Sequence, residues 1–400
     1  MSGGALAVPS GPALAAQPAP GQVAPFCAHF EVCGGCALQH LDSAAQLRLK
    51  EQRLRDTLAQ VAQVAPARWL APITGAPWGY RRRARLGARY VRQMGRSLVG
   101  FRERRSNRVA NLTRCEVLAP PLDGLILPLS ALVTQLSIRE RLPQVEVAIG
   151  EDAVALVLRV LDPPSAGDLA LLREFERQHG VHFYLQSGGL DSTRVLTEPA
   201  PRLFYTLPAA QLQIDFLPTD FVQINAAVNQ ALVAAAGSLL ELTPASNVLD
   251  LYCGLGNFSL ALARHAQHVV GVEGDRALVQ RARDNAQRNG VANAQFFRAD
   301  LTADLAADAG AGPWLAQRYS HVLLDPPRAG AFDMLPQIAR LAPERLLYVS
   351  CDPDTLARDV GLLVQRHGFE LLAAGVVDMF PHTAHLESLA LLAPRAAHGS

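Results

Sequence analysis

A rhythm in the second half of the chain limits its fold more than any other feature. From about Phe221, short apolar runs alternate with helix-length amphipathic stretches: a helix over Ala226 to Leu242, VLDLYC, a helix over Phe258 to His265, HVVGVEG, a helix over Asp275 to Asn289, AQFFRAD, HVLLDPP, a helix, RLLYVSC, a further helix and a closing strand pair. Strands separated by helix-length crossovers pair in parallel, so residues 219–400 are expected to form a doubly wound, mostly parallel α/β sheet with helices on both faces. Ligands in such sheets sit at the carboxyl ends of the strands. The polar motifs of this half fall at those ends.

The first half reads differently. Residues 1–25 are an uncharged Ala/Pro/Gly-rich stretch that can bury little, and are expected to be a disordered tail. Residues 26–218 are expected to form an α+β domain. Within it, Asp42 to Val64 reads as an amphipathic helix with Asp42 as N-cap, and residues 80–115 alternate apolar and basic positions as antiparallel strands do. The chain's 400 residues, 50% hydrophobic and 18% charged, exclude a disordered protein. The uncharged apolar run Gly124 to Ile138 is 15 residues, short of the ~18 that a membrane span needs. No lysine or arginine precedes Arg48, so the positive region of a secretory signal is missing and a cytoplasmic location is expected.

A net charge of +1 hides a strong local field. Between Gly79 and Cys115, twelve arginines stand against one acid, Glu103, giving +11 and leaving −10 for the remainder. With Trp78, Tyr80, Tyr90 and Phe101 interleaved, this is the pattern of phosphate contacts and stacking platforms, and an RNA partner is expected. Lys50 is the sole lysine among 37 basic residues.

The motifs carry the chemistry. In LDLYCGLGNF, Gly254 and Gly256 make the tight strand-to-helix turn that lets a backbone approach a ligand. Glu273 ends the next strand, where it can accept from ribose hydroxyls, and Asp300 ends the third. Ser259 replaces the third glycine of a dinucleotide loop, and Asp250 beside it would repel a pyrophosphate. An acid there suits a ligand with an amine and a sulfonium, S-adenosylmethionine. Cys351 follows a strand and precedes a helix, where the helix terminus would lower its pKa and make it a nucleophile. LLDPPRAG offers Asp325 and Arg328 at a neighbouring strand end, and DMFPHTAHLES offers Glu387 as general base. Cys27, Cys33, Cys36 and Cys115 read as four thiolates of one metal site, and their spacing permits either an iron–sulfur cluster or zinc.

Together CAHFEVCGGCALQH, WGYRRRARL, TRCEVLAP, DFVQINAAVNQ, LDLYCGLGNF, LLDPPRAG, VSCDPDTLARD and DMFPHTAHLES resemble the bacterial 23S ribosomal RNA uracil-C5 methyltransferases, nearest their iron–sulfur members, from about Phe26 to the C-terminus. The resemblance implies a Rossmann-like S-adenosylmethionine-dependent domain preceded by an α+β domain carrying a [4Fe-4S] cluster on Cys27, Cys33, Cys36 and Cys115. It implies donor contacts from Gln223, Tyr252, Asn257, Glu273, Asp300 and Asp325, with Cys351 as nucleophile and Glu387 as base. The implied partner is 23S rRNA and the implied state a monomer. The tRNA-modifying relatives lack the cluster cysteines, which favours rRNA. In one departure, only the Ala/Pro tail precedes the cluster where the family usually has a small β-barrel. A cluster-bearing enzyme for another uridine and a non-catalytic iron–sulfur RNA-binding protein remain as alternatives.

Overall fold

A computed structural model describes residues 20–302 and 312–395. Much of the tail expected over 1–25 lies outside the described residues, but its end is tied down. Gln22 forms an isolated bridge with Leu41, and Asp42 N donates to Gly21 O at 2.8 Å. Asp42 caps α1 (Ser43–Thr57) by accepting from Ala45 N at 2.6 Å. The helix does not run on regularly to Val64, because its end widens into a π turn over Leu58–Ala62. A two-residue strand, β1 (Arg68–Trp69), follows.

The arginine-rich stretch opens a six-stranded, mostly antiparallel sheet. Its strands are β2 (Arg83–Val91), β3 (Arg96–Gly100), β4 (Gln144–Ile149), β5 (Val154–Arg159), β6 (His182–Gln186) and β7 (Arg194–Val195), in the order β3-β2-β4-β5-β6-β7. Alternation sets the faces of β2: Ala84, Leu86 and Ala88 are buried while Arg85 and Arg89 point outward. Helices α2 (Ile126–Gln135) and α3 (Ala166–His179) pack on this sheet, α3 starting at a Ser165–Asp168 capping box. A hairpin of β8 (Phe204–Leu207) and β9 (Leu212–Asp215) leads out of it.

The second half winds as expected through α4 (Ala226–Leu240), β10 (Asn247–Leu251), α5 (Ser259–Leu262), β11 (His268–Glu273), α6 (Arg276–Arg288), β12 (Ala294–Arg298), β13 (His321–Leu324), α7 (Leu335–Leu341), β14 (Arg345–Ser350), α8 (Pro353–Arg366), β15 (Phe369–Val377) and β16 (Glu387–Pro394). Helix α5 stops at Leu262, short of the expected His265. The eight-stranded sheet has the order β1-β15-β16-β14-β13-β10-β11-β12. From β10 the chain steps outward through β11 and β12, then returns to β13 on the other side, which makes β10/β13 the topological switch point. β16 wedges antiparallel between β14 and β15, so its first residue lies on the edge where the parallel strands end.

The boundary expected at 218 is crossed by the segment that includes α1 and β1. Leu54, Leu58 and Ala62 share a core with Leu249, Val270, Val322 and Val360, and β1 pairs in parallel with β15. Gly361 permits this approach: a Cβ there would lie 3.0 Å from Ala62 Cα, and Gln365 donates to Ala62 O at 2.8 Å. Burying Leu54 and Leu58 in this core contributes roughly 2 kcal/mol each. Among the described residues no helix is long and apolar enough to cross a membrane.

Candidate active site

After β10 the backbone turns through three left-handed residues, Tyr252 (φ 65°), Gly254 (φ 53°) and Gly256 (φ 87°). Such a conformation costs a non-glycine residue about 1–3 kcal/mol, so Tyr252 is held there by its surroundings. Glu273, the last residue of β11, accepts from Gly254 N at 3.2 Å and from Asp275 N at 2.9 Å, bracing the loop while each oxygen keeps a lone pair. Asp300 lies exposed just beyond β12, and bonds from the Thr302 hydroxyl and amide hold its carboxyl below the usual range. Gln223 is half-buried on the extended segment before α4, where Arg82 N donates to Ile224 O at 2.9 Å.

Asn257 is committed elsewhere. It exchanges a reciprocal pair of amide bonds with Asn229 of α4, both at 3.0 Å, and accepts from the Tyr205 hydroxyl at 2.9 Å. Its side chain therefore anchors the glycine loop to α4 and β8. Asn229 and Tyr205 were not legible as loop supports, because only the tertiary fold brings them beside Asn257.

Three carboxyls gather behind this loop and beside Cys351. Burial raises Asp250 to about 7, with Asp325 and Glu273 adding to the shift; it accepts from the Ser259 hydroxyl, and its Oδ1 is buried without a partner. Burial likewise raises Asp325, just past β13, to about 7. Glu387 is raised to about 8 by burial and by Asp325, against the opposing charge of Lys50, and its Oε2 is also unpartnered. Buried acids held near neutrality, with orphaned oxygens, fit a ligand that brings positive charge and repel a pyrophosphate.

Cys351 meets Glu387 through sheet register. The last β14/β16 pair is Ser350 with Ser388; Cys351 follows the one and Glu387 precedes the other, and the Glu387 charge acts on the thiol. The lowered thiol pKa expected here is reversed. Burial raises it, and the charges of Glu387 and Asp325 add to that while Arg328 opposes. The terminus of α8 does not compensate because Asp352 caps it, accepting from Asp354 N at 3.0 Å and Thr355 N at 3.3 Å. A carboxylate already occupies the amides that were expected to act on the thiol.

Cys27, Cys33, Cys36 and Cys115 line one cavity with Phe30, Gly35 and Phe101. A Cβ on Gly35 would lie 3.3 Å from the Phe101 ring and 3.4 Å from Cys33 Sγ, a tight fit. Arg104 clasps the loop, donating to Cys33 O at 3.2 Å and Cys36 O at 2.8 Å.

The arginine stretch is less bare than its local charge implies. Arg82 pairs with Glu151, Arg83 and Arg85 with Glu146, Arg92 with Glu140, and Arg114 with Glu116 and Asp123. Arg85, Arg102, Arg104 and Arg105 still line an open groove beside Cys36. Two of the expected stacking aromatics are used internally: Trp78 stacks on His382 at 3.8 Å, and buried Tyr80 donates to Pro381 O at 3.0 Å.

Known proteins resemble this chain. The family model described as tRNA (Uracil-5-)-methyltransferase matches residues 206–395. The 23S rRNA (uracil(1939)-C(5))-methyltransferase RlmD of Alkalilimnicola ehrlichii is 51% identical over 375 residues, 94% of this chain and 83% of that protein. The chain belongs to the RNA uracil-C5 methyltransferase family. The RlmD of Methylococcus capsulatus is 48% identical, over 93% of this chain and 83% of its own. The methyltransferase fold is seen again in the tRNA (uracil-54, C5)-methyltransferase of Pyrococcus abyssi, solved with S-adenosyl-L-homocysteine. It matches 90% of this chain and 86% of its own with a TM-score of 0.67 at 22% identity.

Proposed function

We propose that this methyltransferase moves a methyl group from S-adenosylmethionine to C5 of a uridine in 23S rRNA, the uridine numbered 1939 in the names of its relatives. The observation that supports the reading is the nearness of Glu387 to the Cys351 thiol, on which its charge acts, at the end of the β14/β16 ladder. C5 of uracil is a poor nucleophile. The Cys351 thiolate adds to C6, forming the C6–S bond and making C5 enolate-like. The bound donor supplies an electrophilic methyl on a sulfonium, for C5 to take. Glu387 as carboxylate then removes the C5 proton, and the electron pair released expels Cys351 as thiolate. Arg328 opposes the charges that keep the thiol protonated at rest.

Tyr252, Glu273, Asp300 and Asp325 on the strand ends, with Gln223 beside α4, form the donor site in this reading, and Asn257 serves it by holding the loop. Residues 26–218 carry a [4Fe-4S] cluster on Cys27, Cys33, Cys36 and Cys115. Among the described residues no group of three or more His, Cys, Asp or Glu side chains is in a position to hold a single metal ion. Four thiols around a common cavity are the donor set that such a cluster requires. The groove arginines bind phosphates, and the target base is extruded into the pocket at a cost of a few kcal/mol, roughly.

Replacing the hydrogen on C5 distinguishes this reaction from methylation at nitrogen or ribose. A 23S rRNA fragment tritiated at uridine C5 is expected to release one tritium to water for each methyl incorporated. Methyl incorporation without tritium release would overturn the reading.

A further inference from the structure

Thirty-six of the chain's 37 basic residues are arginine, and the exception, Lys50, is buried in α1 at 2% exposure. Its ammonium donates to Asp378 Oδ1 at 2.6 Å and to the Phe380 carbonyl at 2.9 Å. Both partners lie in the turn that joins β15 to β16. Asp378 directly follows Val377, and Val377 is the strand partner of Glu387. The same turn is gripped at His382, which holds a left-handed φ of 65°. Gln46, one helical turn before Lys50, accepts from His382 N at 2.8 Å, and the amides of Ala37 and Leu38 donate to His382 O at 2.8 and 2.9 Å.

A buried ion pair of this kind adds little net stability, since desolvating both charges offsets most of their attraction. Stability alone therefore does not account for it. What the pair does fix is the path of the turn at both of the points Lys50 reaches. The compact Lys50 ammonium serves the carboxylate and the carbonyl together.

We propose that Lys50 is a positioning residue for the base: by holding Asp378 and the Phe380 carbonyl it fixes the turn that aims Glu387 at the proton on C5. The inference rests on the reading of Glu387 as that base. Lys50 acts through the β15–β16 turn, on Asp378 and the Phe380 carbonyl. Its charge also favours the ionised form of Glu387, against Asp325. Misplacing a reacting group by ~1 Å costs about 10²-fold in rate. The cost falls on proton removal, after Cys351 has already added and the methyl has moved.

The test is the fate of the covalent intermediate on ordinary uridine RNA. Lys50→Met and Asp378→Asn are compared with the parent protein for turnover, KM for RNA, melting temperature and protein–RNA adduct on denaturing gels. The expected result, per folded protein, is kcat lower by about 10²-fold, KM nearly unchanged, and a methylated adduct that accumulates in either variant, although each variant also melts lower because one charge of a buried pair loses its partner. Parent-like turnover, or a rate that falls only in proportion to folded protein with no adduct, overturns the proposal. The parent run with 5-fluorouridine RNA separates the two readings. If it forms no adduct, the nucleophile assignment fails; if it does and the variants match the parent, only the role of Lys50 fails.

Discussion

Asp325 offers a direct handle on the donor site. Burial raises its carboxyl to about 7, and neighbouring Asp250 is raised to about 7 by burial with Asp325 adding to the effect. A ligand carrying a permanent sulfonium charge binds the ionised carboxylate. The folded pKa is raised, so the charge is present above about pH 7 and is lost as pH falls through that value. Between pH 8 and pH 6 the ionised fraction of one such group drops from roughly nine-tenths to one-tenth, which weakens binding about tenfold, or about 1.4 kcal/mol. Because Asp250 and Asp325 interact, the loss spreads over two overlapping steps. Calorimetric titration of S-adenosylmethionine at pH 6, 7 and 8 reads this directly, with the uncharged thioether methylthioadenosine as control. Asp325→Asn is expected to bind more weakly at pH 8 and to lose the larger part of the pH dependence. A dissociation constant that is flat from pH 6 to 8 in the parent, or an equal slope for the neutral ligand, refutes the reasoning.

Three other outcomes follow from particular contacts. A Cβ on Gly271 would lie 2.6 Å from the Phe296 ring and 2.9 Å from Cys253 Sγ, so Gly271→Ala is expected to lower stability by about 1–3 kcal/mol in urea titrations. Asn229→Ala removes both amide bonds to Asn257 and is expected to loosen the glycine loop, weakening donor binding by about 1–3 kcal/mol in the same calorimetric assay. Anaerobically purified protein is expected to be brown and to contain iron and sulfide, and Cys115→Ala to lose most of both by metal analysis; colourless, zinc-containing protein would contradict the cluster assignment.

The parallel sheet was legible because each of its strands is a short apolar run ending in a polar residue, a local pattern that survives folding. Tyr252, Glu273, Asp300, Asp325 and Cys351 could be placed on one edge from that pattern alone. The nearness of Glu387 to Cys351 could not, since it depends on β16 entering antiparallel between β14 and β15. Segment 43–73 was misassigned because its apolar positions say only that it is buried, not against which sheet. Charge counted along the chain overstated the bare arginine face, because Glu140, Glu146 and Glu151 arrive from β4 and its flanks to pair with it. The thiol was read in the wrong direction for a similar reason. A helix terminus was visible in the sequence, but not that Asp352 would cap it and that Glu387 and Asp325 would stand beside the sulfur.

The central claim is a covalent bond between Cys351 and C6 of the target uracil. An rRNA fragment with 5-fluorouridine at the target position, incubated with the protein and S-adenosylmethionine, tests it, because the fluorine cannot be removed as a proton and the methylated adduct cannot break down. The expected result is a donor-dependent, slower-migrating protein–RNA band on a denaturing gel that is absent with Cys351→Ala. A folded, donor-binding protein that gives no such band, or a band that persists in Cys351→Ala, would contradict the account.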